Sequence, residues 1–290
     1  MPTSLSPGTL YLVSTPIGNL EDITYRAVRV LKAVDLIAAE DTRQTTKLCN
    51  HYDISTRRVS LHEHNESQRT PSLLRKLARG DTIAVVSDAG TPLVSDPGGT
   101  LTAKALAAGY KVEAIPGPSA VLAALASSGF SAKNGFCFVG FPPNRSNNRI
   151  EFFLDLVDEP RPVIIFESPH RIIGCMTDIV AIFRNRRIAI CRELTKIHES
   201  LVVQPIEEVS DFILNNKLKG EITLVIEGNS TQKTENAQVQ ASNILAEFGH
   251  LTESGLSRRA AIRTLATRYR CSTRYIYQRI ETNKPKDFVD

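Results

Sequence analysis

Short apolar runs alternate with helical patterns along the first 115 residues. The runs end in clusters of small or polar residues, and the run at 82–86 is rich in β-branched residues. Continuous apolar runs of this length are typical of strands that are buried in a parallel sheet. Together with the helical patterns between them, the runs indicate an α/β fold with a mostly parallel sheet. The predicted strands cover residues 9–14, 36–39, 59–61, 82–86 and 111–115.

The helices of this first unit are marked by their spacing and by their ends. Residues 24–34 have helical spacing, and either Asp22 or Thr24 is expected to cap the helix. Further helices are predicted up to residue 51 and over residues 72–79.

A second α/β unit follows a short linker. Residues 129–135 are small and polar without periodicity, which is typical of a linker. A basic polar loop is predicted over residues 142–149, and a helix is predicted to end near Phe183. The strands of this unit are predicted at residues 136–141, 163–166, 187–191, 200–203 and 222–226.

The C-terminal residues carry only helical patterns. Helices are predicted at residues 238–248, 258–269 and 273–281, after a polar stretch at 230–236. The last two, with a turn at Ser272, fit a helix-turn-helix unit, and a helical cap with a solvated basic face is the alternative. The predicted domains are therefore an α/β domain at 1–130, a second α/β domain at 131–229 and a helical domain at 230–290.

The positive charge of the chain is concentrated in this C-terminal part. Residues 257–290 contain nine basic and three acidic residues, whereas the other residues contain 26 basic and 28 acidic ones. The net charge of +4 therefore combines a tail of +6 with a body of −2. Such asymmetry favours a polyanionic partner that contacts the tail.

The cysteine and histidine patterns indicate neither a disulfide framework nor a metal. The five cysteines are scattered without a CxxC pair, and the six histidines form no HExxH motif. We expect reduced thiols and no bound metal. The first eight residues do not resemble a signal peptide, and the longest apolar stretch, 120–126, is too short to span a membrane. We therefore expect a cytoplasmic protein.

The loops that follow the predicted strands are the candidate chemical sites. The chain contains neither GxGxxG nor GxxxxGK[ST], so neither a common dinucleotide site nor a P-loop is predicted. Residues 87–98, SDAGTPLVSDPG, instead join small, polar and turn-forming residues directly after the apolar strand at 82–86. Ligands of open α/β sheets bind at such carboxyl ends, and a glycine such as Gly90 permits close approach of the backbone.

Six motifs occur in order along the chain. They are STPIGN (14–19), EDTR (40–43), SDAGTPLVSDPG (87–98), PGPSA (116–120), FESPHR (166–171) and ELTK (193–196). Together they resemble the tetrapyrrole methylase superfamily, and within it the enzymes that methylate ribosomal RNA. The resemblance covers roughly residues 8–228.

This resemblance implies two α/β domains with S-adenosylmethionine in the cleft between them, and commonly a homodimer. It also implies methylation of the ribose 2′-hydroxyl of a cytidine in 16S rRNA within the small ribosomal subunit. Carried over by position, the cofactor contacts are Pro16, Ile17, Asp88, Ala89, Gly90, Thr91, Val94, Ser119, Ala120, Glu167 and Leu194.

Methyl transfer from a sulfonium is an in-line displacement, to which positioning contributes much of the rate. A base or a cation near the weakly acidic 2′-hydroxyl would assist. The candidates in the motif loops are Asp41, Glu167, His170 and Lys196, and the sequence does not choose among them.

Residues that are expected to contact RNA lie in two places. Arginines and histidines on or beside the motif loops can grip phosphates or hold a splayed base, and Asn65 beside the histidines can do the same. These are Arg43, His62, His64, Arg145, Arg149 and Arg171. The C-terminal candidates are Arg258, Arg259, Arg263, Arg274 and Arg279.

Two other functions remain open from the sequence. One is methylation of a tetrapyrrole or a protein side chain on the same scaffold, and the basic tail argues against it. The other is a DNA-binding regulator with a ligand-sensing α/β body, which the six ordered motifs disfavour.

Overall fold

The computed structural model describes residues 5–183, 185–209, 219–229, 236–269 and 273–282. Within them the chain divides into two compact units, which we describe separately. Unit 1 consists of Met1–Ser127 and Cys191–Ser200, and unit 2 of Ser128–Ile190 and Leu201–Asp290. The sequence placed residues 191–200 in the second α/β domain and set the C-terminal helices apart as a third domain. The structure groups them differently.

Unit 1 contains a parallel sheet in the described residues. Its strands are β1 (Thr9–Val13), β2 (Leu36–Ala39), β3 (Arg58–Ser60), β4 (Ile83–Val86) and β5 (Lys111–Ile115). The strand order is β3-β2-β4-β1-β5, and every neighbouring pair is parallel. The prediction of a mostly parallel sheet is therefore confirmed. Because the strands run in one direction, their carboxyl ends and the loops that leave them share one edge of the sheet.

Helices cover both faces of this sheet. They are α1 (Tyr25–Ala33), α2 (Thr42–His51), α3 (Glu66–Ala78), α4 (Gly99–Ala107) and α5 (Ala120–Ser128). One buried cluster joins α1 and α2 to alternate strand residues such as Val13 and Ile37. A second cluster joins α3 and α4 to the intervening residues, such as Leu10 and Ile83. Side chains on both faces are buried, which explains why the strands read as continuous apolar runs.

The prediction for α3 was wrong about where the helix begins. The sequence placed its start at residue 72, after Pro71, but Pro71 lies inside a helix that begins at Glu66. The backbone N–H groups of Asn65 and Glu66 donate to the carbonyl of His62, and Asn65 Oδ1 accepts the His62 N–H. This turn starts the helix six residues early. The tertiary context therefore overrides the proline signal.

Unit 2 is built on a mixed sheet with the order β6-β7-β10-β8-β9. Strand β7 is parallel to β6 and antiparallel to β10. The strands are β6 (Cys137–Phe138), β7 (Val163–Glu167), β8 (Arg187–Arg192), β9 (Ser200–Pro205) and β10 (Ile222–Ile226). Helices α6 (Ser146–Leu154) and α7 (Ile172–Ile182) pack against this sheet through a core that includes Phe153 and Ile179.

The C-terminal helices of unit 2 are α8 (Asn236–Glu253), α9 (Arg258–Tyr269) and α10 (Thr273–Thr282). They share a small core around Ile244, Leu265 and Ile276. The α/β fold with a helical C-terminal part is confirmed, and the predicted bounds of α9 are exact. The predicted turn at Ser272 and the stretch at 230–235 lie outside the described residues.

The basic loop predicted at 142–149 ends early, and its last arginine is not a surface residue. Helix α6 begins at Ser146, and Arg149 on it is 5% exposed. Its guanidinium donates from Nε to Asp178 Oδ2 over 2.7 Å and from Nη1 to the Asn144 carbonyl over 3.1 Å. Ser146 Oγ lies 3.2 Å from both Asp178 oxygens. Arg149 thus ties α6 to α7, so its predicted place in a phosphate-gripping loop was wrong.

The Arg149–Asp178 pair makes a testable contribution to stability. We expect Asp178→Ala to lower the free energy of unfolding by about 3 kcal/mol, because it leaves a buried guanidinium without its counter-charge. Asp81→Ala is the matched control, since Asp81 pairs with Lys76 at 3.5 Å where both side chains are over a third exposed. Its expected cost is below about 1 kcal/mol. Urea unfolding of both variants measures the difference, and equal costs would contradict the assignment.

Candidate active site

Two loops at the carboxyl edge of the unit 1 sheet are paired through their backbones. We call residues 14–19 the β1 loop and residues 87–98 the β4 loop. The N–H of Thr15 donates to the Gly90 carbonyl over 2.9 Å, and the Gly90 N–H donates back over 3.0 Å. Thr15 Oγ1 also donates to the Ser87 carbonyl over 3.2 Å. Strands β1 and β4 are neighbours, so their loops are joined directly.

A third loop joins the pair through a chain of hydroxyl groups. Ser14 Oγ donates to Thr91 Oγ1 over 3.2 Å, and Thr91 Oγ1 donates to the carbonyl of Pro118 over 3.1 Å. Pro118 lies in the β5 loop (residues 116–119), where a Cβ on Gly117 would stand 2.9 Å from Ser14 Cβ. The structure therefore brings the STPIGN, SDAGTP and PGPS segments together, as the sequence predicted for loops of one edge.

At position 90, any residue other than glycine would strain the backbone and crowd a neighbouring side chain. Its φ is +81°, and a Cβ there would lie 3.2 Å from Ile17 Cγ2 and 3.7 Å from the Pro118 carbonyl oxygen. The left-handed conformation and the close neighbour both require glycine. Gly90 itself is buried, whereas the two residues before it, Asp88 and Ala89, are exposed.

Backbone strain is concentrated in two motif segments. Among the described residues, six other than glycine have positive φ, and four of them lie in the β4 loop or the ELTK segment. These four are Leu93 (72°), Ser95 (68°), Glu193 (51°) and Thr195 (66°). Such conformations cost about 1–3 kcal/mol each and persist where the surroundings impose them. Their positions point to a functional demand on both segments.

The ELTK segment belongs to unit 1, where it contacts the β1 loop. Thr195 Oγ1 accepts the N–H of Asn19 over 3.1 Å, and a Cβ on Gly18 would collide with the side chain of Lys196. Leu194 is 8% exposed. Lys196 Nζ lies 2.8 Å from Glu193 Oε1, so this candidate for the chemistry is ion-paired in the structure.

Acidic side chains converge beside the same loops. Asp88 Oδ1 accepts the N–H of Asp41 over 3.0 Å, and the N–H of Asp88 donates to Glu40 Oε2 over 3.2 Å. Burial is the main cause that raises the pKa values of Glu40 and Asp88. The EDTR and SDAG motifs therefore form one negatively charged surface. Negative charge of this kind favours a cationic ligand.

Asp41 is a poor general base in this arrangement. It caps α2 by accepting the Arg43 N–H over 2.8 Å, and its Oδ2 binds Arg43 Nη2 over 2.7 Å. The hydrogen bonds from Arg43 lower the pKa of Asp41 to about 2. A carboxylate that is so weakly basic accepts a proton poorly near neutral pH. The same contact occupies the Arg43 guanidinium, which is otherwise exposed as predicted for an RNA contact.

Asp96 was not a candidate from the sequence, and its pKa is raised, whereas the pKa of Asp41 is lowered. Burial, with further contributions from Glu40 and Asp88, raises the pKa of Asp96 to about 6. It lies in the β4 loop between the strained Ser95 and Pro97. The only sequence signal was its place in the SDPG turn, because a raised pKa depends on burial that spacing does not reveal.

Glu167 does not face solvent. Its side chain is 0% exposed at the end of β7, Oε1 accepts the Ser168 N–H over 2.7 Å, and Arg171 Nε lies 3.1 Å from the same oxygen. Arg171 also donates to the carbonyl of Pro142. These contacts of Glu167 lie within unit 2. By contrast, His170 is exposed.

The HEHN run that follows β3 is partly exposed, as expected. His62 Nε2 lies 3.0 Å from Asn65 Nδ2, and the rings of His62 and His64 meet edge to face at 6.1 Å. His64 is exposed, whereas His62 is half-buried. Glu66, the next residue, is buried and accepts the N–H of Leu101 over 2.9 Å. Glu66 therefore caps α4 and holds the far end of the β4 loop.

The remaining basic candidates differ in their surroundings. Arg145 is exposed at the start of α6. Arg258 is paired with Glu281, and Arg279 lies over the ring of Tyr275 at 5.0 Å. Arg259 and Arg263 are exposed on α9. The side chain of Arg274 lies outside the described residues.

The remaining predicted cofactor residues cluster at the same edge. Pro16 and Ile17 lie in the β1 loop, Val94 in the β4 loop, Ser119 at the end of the β5 loop and Ala120 at the start of α5. Small residues and acidic side chains suit a small ligand of mixed polarity that carries a positive charge. No group of three or more possible metal ligands occurs among the described residues. No helix in the described ranges is long and apolar enough to cross a membrane.

Comparison with known protein families defines the class. Residues 9–210 match the family of tetrapyrrole (corrin/porphyrin) methylases. This match spans well over half of the chain, so the chain belongs to the tetrapyrrole methylase family.

Curated relatives specify one branch of that family. A protein of Halalkalibacterium halodurans named ribosomal RNA small subunit methyltransferase I is 43% identical over 272 residues, which is 93% of each chain. The protein of the same name from Escherichia coli O157:H7 is 45% identical over 233 residues, or 79% of this chain and 81% of that one.

Solved structures share the fold at low sequence identity. Uroporphyrin-III C-methyltransferase from Thermus thermophilus, complexed with S-adenosylhomocysteine, is 18% identical with a TM-score of 0.54. It covers 80% of this chain and 99% of that one. A diphthine synthase is 13% identical with a TM-score of 0.57, covering 76% and 90%.

We expect Gly90→Val to abolish binding of S-adenosylmethionine, because the added side chain would crowd Ile17 and the loop surface. Gly109→Val is the matched control: its φ of +79° imposes the same strain, about 1–2 kcal/mol, but nothing lies within 4 Å of its Cβ. Calorimetric titration of both folded variants measures the affinity. Equal binding by the two variants would contradict the placement of the cofactor at the β4 loop.

The raised pKa of Asp96 predicts a pH-dependent effect of Asp96→Asn on stability. An aspartate whose folded pKa is about 6, against 3.8 when unperturbed, contributes stability below pH 3.8 that is lost as pH rises through 6. Asparagine mimics the protonated form, so the variant should gain stability relative to the unchanged protein between pH 4 and 8.

Asp41→Asn is the control for this pH profile. Its pKa is lowered to about 2, so its contribution is complete above pH 3.8 and is lost as pH falls through 2. The loss in Asp41→Asn should therefore stay constant from pH 5 to 8. Unfolding midpoints across this range compare the two, and a flat profile for Asp96→Asn would refute the assignment.

Proposed function

We propose that this chain transfers a methyl group from S-adenosylmethionine to the ribose 2′-hydroxyl of a cytidine in small-subunit (16S) ribosomal RNA. The observation that carries the proposal is the identity of 43% with a ribosomal RNA small subunit methyltransferase I over 93% of both chains. Near full-length similarity at this level includes the C-terminal helices as well as the methylase domains.

The cofactor would lie on the β1, β4 and β5 loops, and it supplies an electrophilic methyl group on a positively charged sulfur. Pro16, Ile17 and the backbone at Gly90 are suited to hold it against the sheet edge. The carboxylates of Asp88 and Glu40 would stabilise the positive charge. In the proposed set, Ala89, Thr91, Val94, Ser119, Ala120 and Leu194 complete the contacts.

The chain's own contribution to the reaction is chiefly positioning. In-line transfer requires the 2′-oxygen to approach the methyl group from the side opposite the sulfur. The hydrogen-bonded frame of Thr15, Gly90 and Thr91 fixes the loops before substrate arrives. Among the four candidates from the sequence, Asp41 and Lys196 are engaged in ion pairs and Glu167 is buried. The fourth, His170, is exposed. The proposal assigns the proton to none of the four.

Positive side chains outside these loops are proposed to bind the RNA. Arg145, His64 and the C-terminal arginines that the sequence analysis selected are suited to contact phosphates or bases. Those arginines are Arg258, Arg259, Arg263, Arg274 and Arg279. We do not include Arg149, because Asp178 already binds its guanidinium. The proposed setting is the cytoplasm, with 16S rRNA of the small ribosomal subunit as partner and a homodimer as the assembly.

The second candidate is methylation of a tetrapyrrole or a protein side chain, which the names of the structural neighbours suggest. Their identities of 20% or less support the shared fold alone. A DNA-binding regulator is a weaker candidate, since the chain belongs to a family of methylases.

We expect transfer of labelled methyl from S-adenosylmethionine to small ribosomal subunits isolated from cells that lack this protein. After digestion to nucleosides, the label should appear in 2′-O-methylcytidine. Subunits from cells that contain the protein are the control, since their acceptor site should already be filled. Cofactor binding without transfer to subunits or to free rRNA would redirect the assignment to a small-molecule or protein methylase.

A further inference from the structure

The C-terminal helices enclose a pocket that the methylase loops do not share. It has a volume of about 440 Å³ and lies between the first halves of α9 and α10. This volume is within the range of small-ligand sites. The lining residues are Arg258, Arg259, Ile262, Arg263, Thr273 and Tyr277.

The walls of this pocket rest on a packed core. Ile262 packs against a cluster that includes Leu265 and Ile276, both fully buried. The helices that form the two walls of the pocket, α9 and α10, therefore share one core.

Arg258 forms part of the wall and has its charge compensated. It is ion-paired with Glu281, and its guanidinium lies 5.8 Å from the ring centroids of both Phe248 and Tyr277. These contacts hold Arg258 in place beside the Tyr277 ring. The role of Arg258 is thus to position the aromatic ring.

Arg259 and Arg263 are different, because within the described ranges neither has an acidic partner. Both are exposed, and they stand one turn apart on the same face of α9. Like charges at this spacing repel each other and destabilise a helix. A bound anion would remove the repulsion. Arg268 on the same helix, by contrast, is ion-paired with Glu247.

Tyr277 supplies an accessible aromatic surface at the same pocket. It is 49% exposed, and Thr273 lies one turn before it at the start of α10. A ring beside two uncompensated guanidinium groups offers stacking for a base and charge for its phosphate. Unstacked bases of single-stranded RNA use this combination, whereas bases inside a duplex are not available to such a ring.

We propose that this pocket binds one nucleotide of single-stranded RNA, with its phosphate at Arg259 and Arg263 and its base against Tyr277. The proposal rests on the RNA substrate of the proposed function and specifies which form of RNA the C-terminal helices recognise. It differs from the helix-turn-helix interpretation, in which α10 would enter the major groove of a duplex.

The test uses the full chain, a fluorescent single-stranded RNA of ten pyrimidine nucleotides and a duplex of the same length. Tyr277→Leu keeps an apolar side chain at the pocket but removes the aromatic face, so we expect its affinity for the single strand to fall at least about fivefold. Tyr277→Phe should bind like the unchanged protein.

The charge contribution is measured by salt dependence. The double variant Arg259→Gln/Arg263→Gln should reduce the slope of log K against log salt by about 0.7, the value for one phosphate of a single strand. Arg268→Gln is the matched control on the same helix and should leave the slope unchanged. Circular dichroism and unfolding midpoints confirm that each variant is folded.

Three results would overturn the proposal. They are equal binding by Tyr277→Leu and Tyr277→Phe, an equal slope change in Arg268→Gln, or tighter binding of the duplex. Measuring methyl transfer by the unchanged protein distinguishes a failure of the pocket proposal from a failure of the proposed function. If the unchanged protein methylates rRNA but the pocket variants bind RNA normally, only the proposed nucleotide pocket is refuted. If RNA binding depends on the pocket but no methyl group is transferred, only the proposed methylation is refuted.

Discussion

The reciprocal backbone hydrogen bonds between Thr15 and Gly90 are the contact on which the active-site edge depends. They join the loops of two adjacent parallel strands, and they require a glycine with φ of +81° against Ile17. The hydroxyl chain from Ser14 through Thr91 to Pro118 extends this frame to the β5 loop. The site thus follows from the sheet order β4-β1-β5, because β1 lies between β4 and β5 and its loop contacts the loops of both.

The hydrogen-bonded loops also contain strained backbone and lie beside acidic side chains. Leu93 and Ser95 hold left-handed conformations inside the β4 loop, and Glu66 fixes the end of that loop by capping α4. Glu40 accepts the N–H of Asp88 beside this frame, and burial is the main cause that raises the pKa values of both carboxyl groups. A surface of this kind is costly without a cationic ligand, so the energetics and the family membership point the same way.

Much of this was predictable from sequence because unit 1 is built from local signals. Buried parallel strands leave continuous apolar runs, and the predicted bounds of β2 and β5 are exact. Thr24 caps α1 as expected. The motif loops were predictable because strand ends and glycine-rich turns are adjacent in the chain.

The features that were not predicted depend on contacts between residues that are far apart in the chain. Arg149 resembles a phosphate ligand until Asp178, 29 residues later, is placed beside it. Burial determines the contacts of the Glu167 carboxylate and raises the pKa of Asp96. The spacing of residues along the chain does not reveal burial. Helix α3 runs through Pro71 because the turn at His62 and Asn65 starts it earlier than local propensity indicates. In each case a tertiary contact outweighed the local pattern.

The grouping of Cys191–Ser200 with unit 1 has a consequence for the modularity of this protein. The chain leaves unit 1 after Ser127, returns to it for ten residues between β8 and β9, and leaves again. The returning segment supplies Thr195 to the β1 loop. Neither α/β unit is therefore a continuous stretch of the gene, so recombination between relatives cannot exchange one unit without cutting into the other. The two units must therefore be inherited and diversified as one piece.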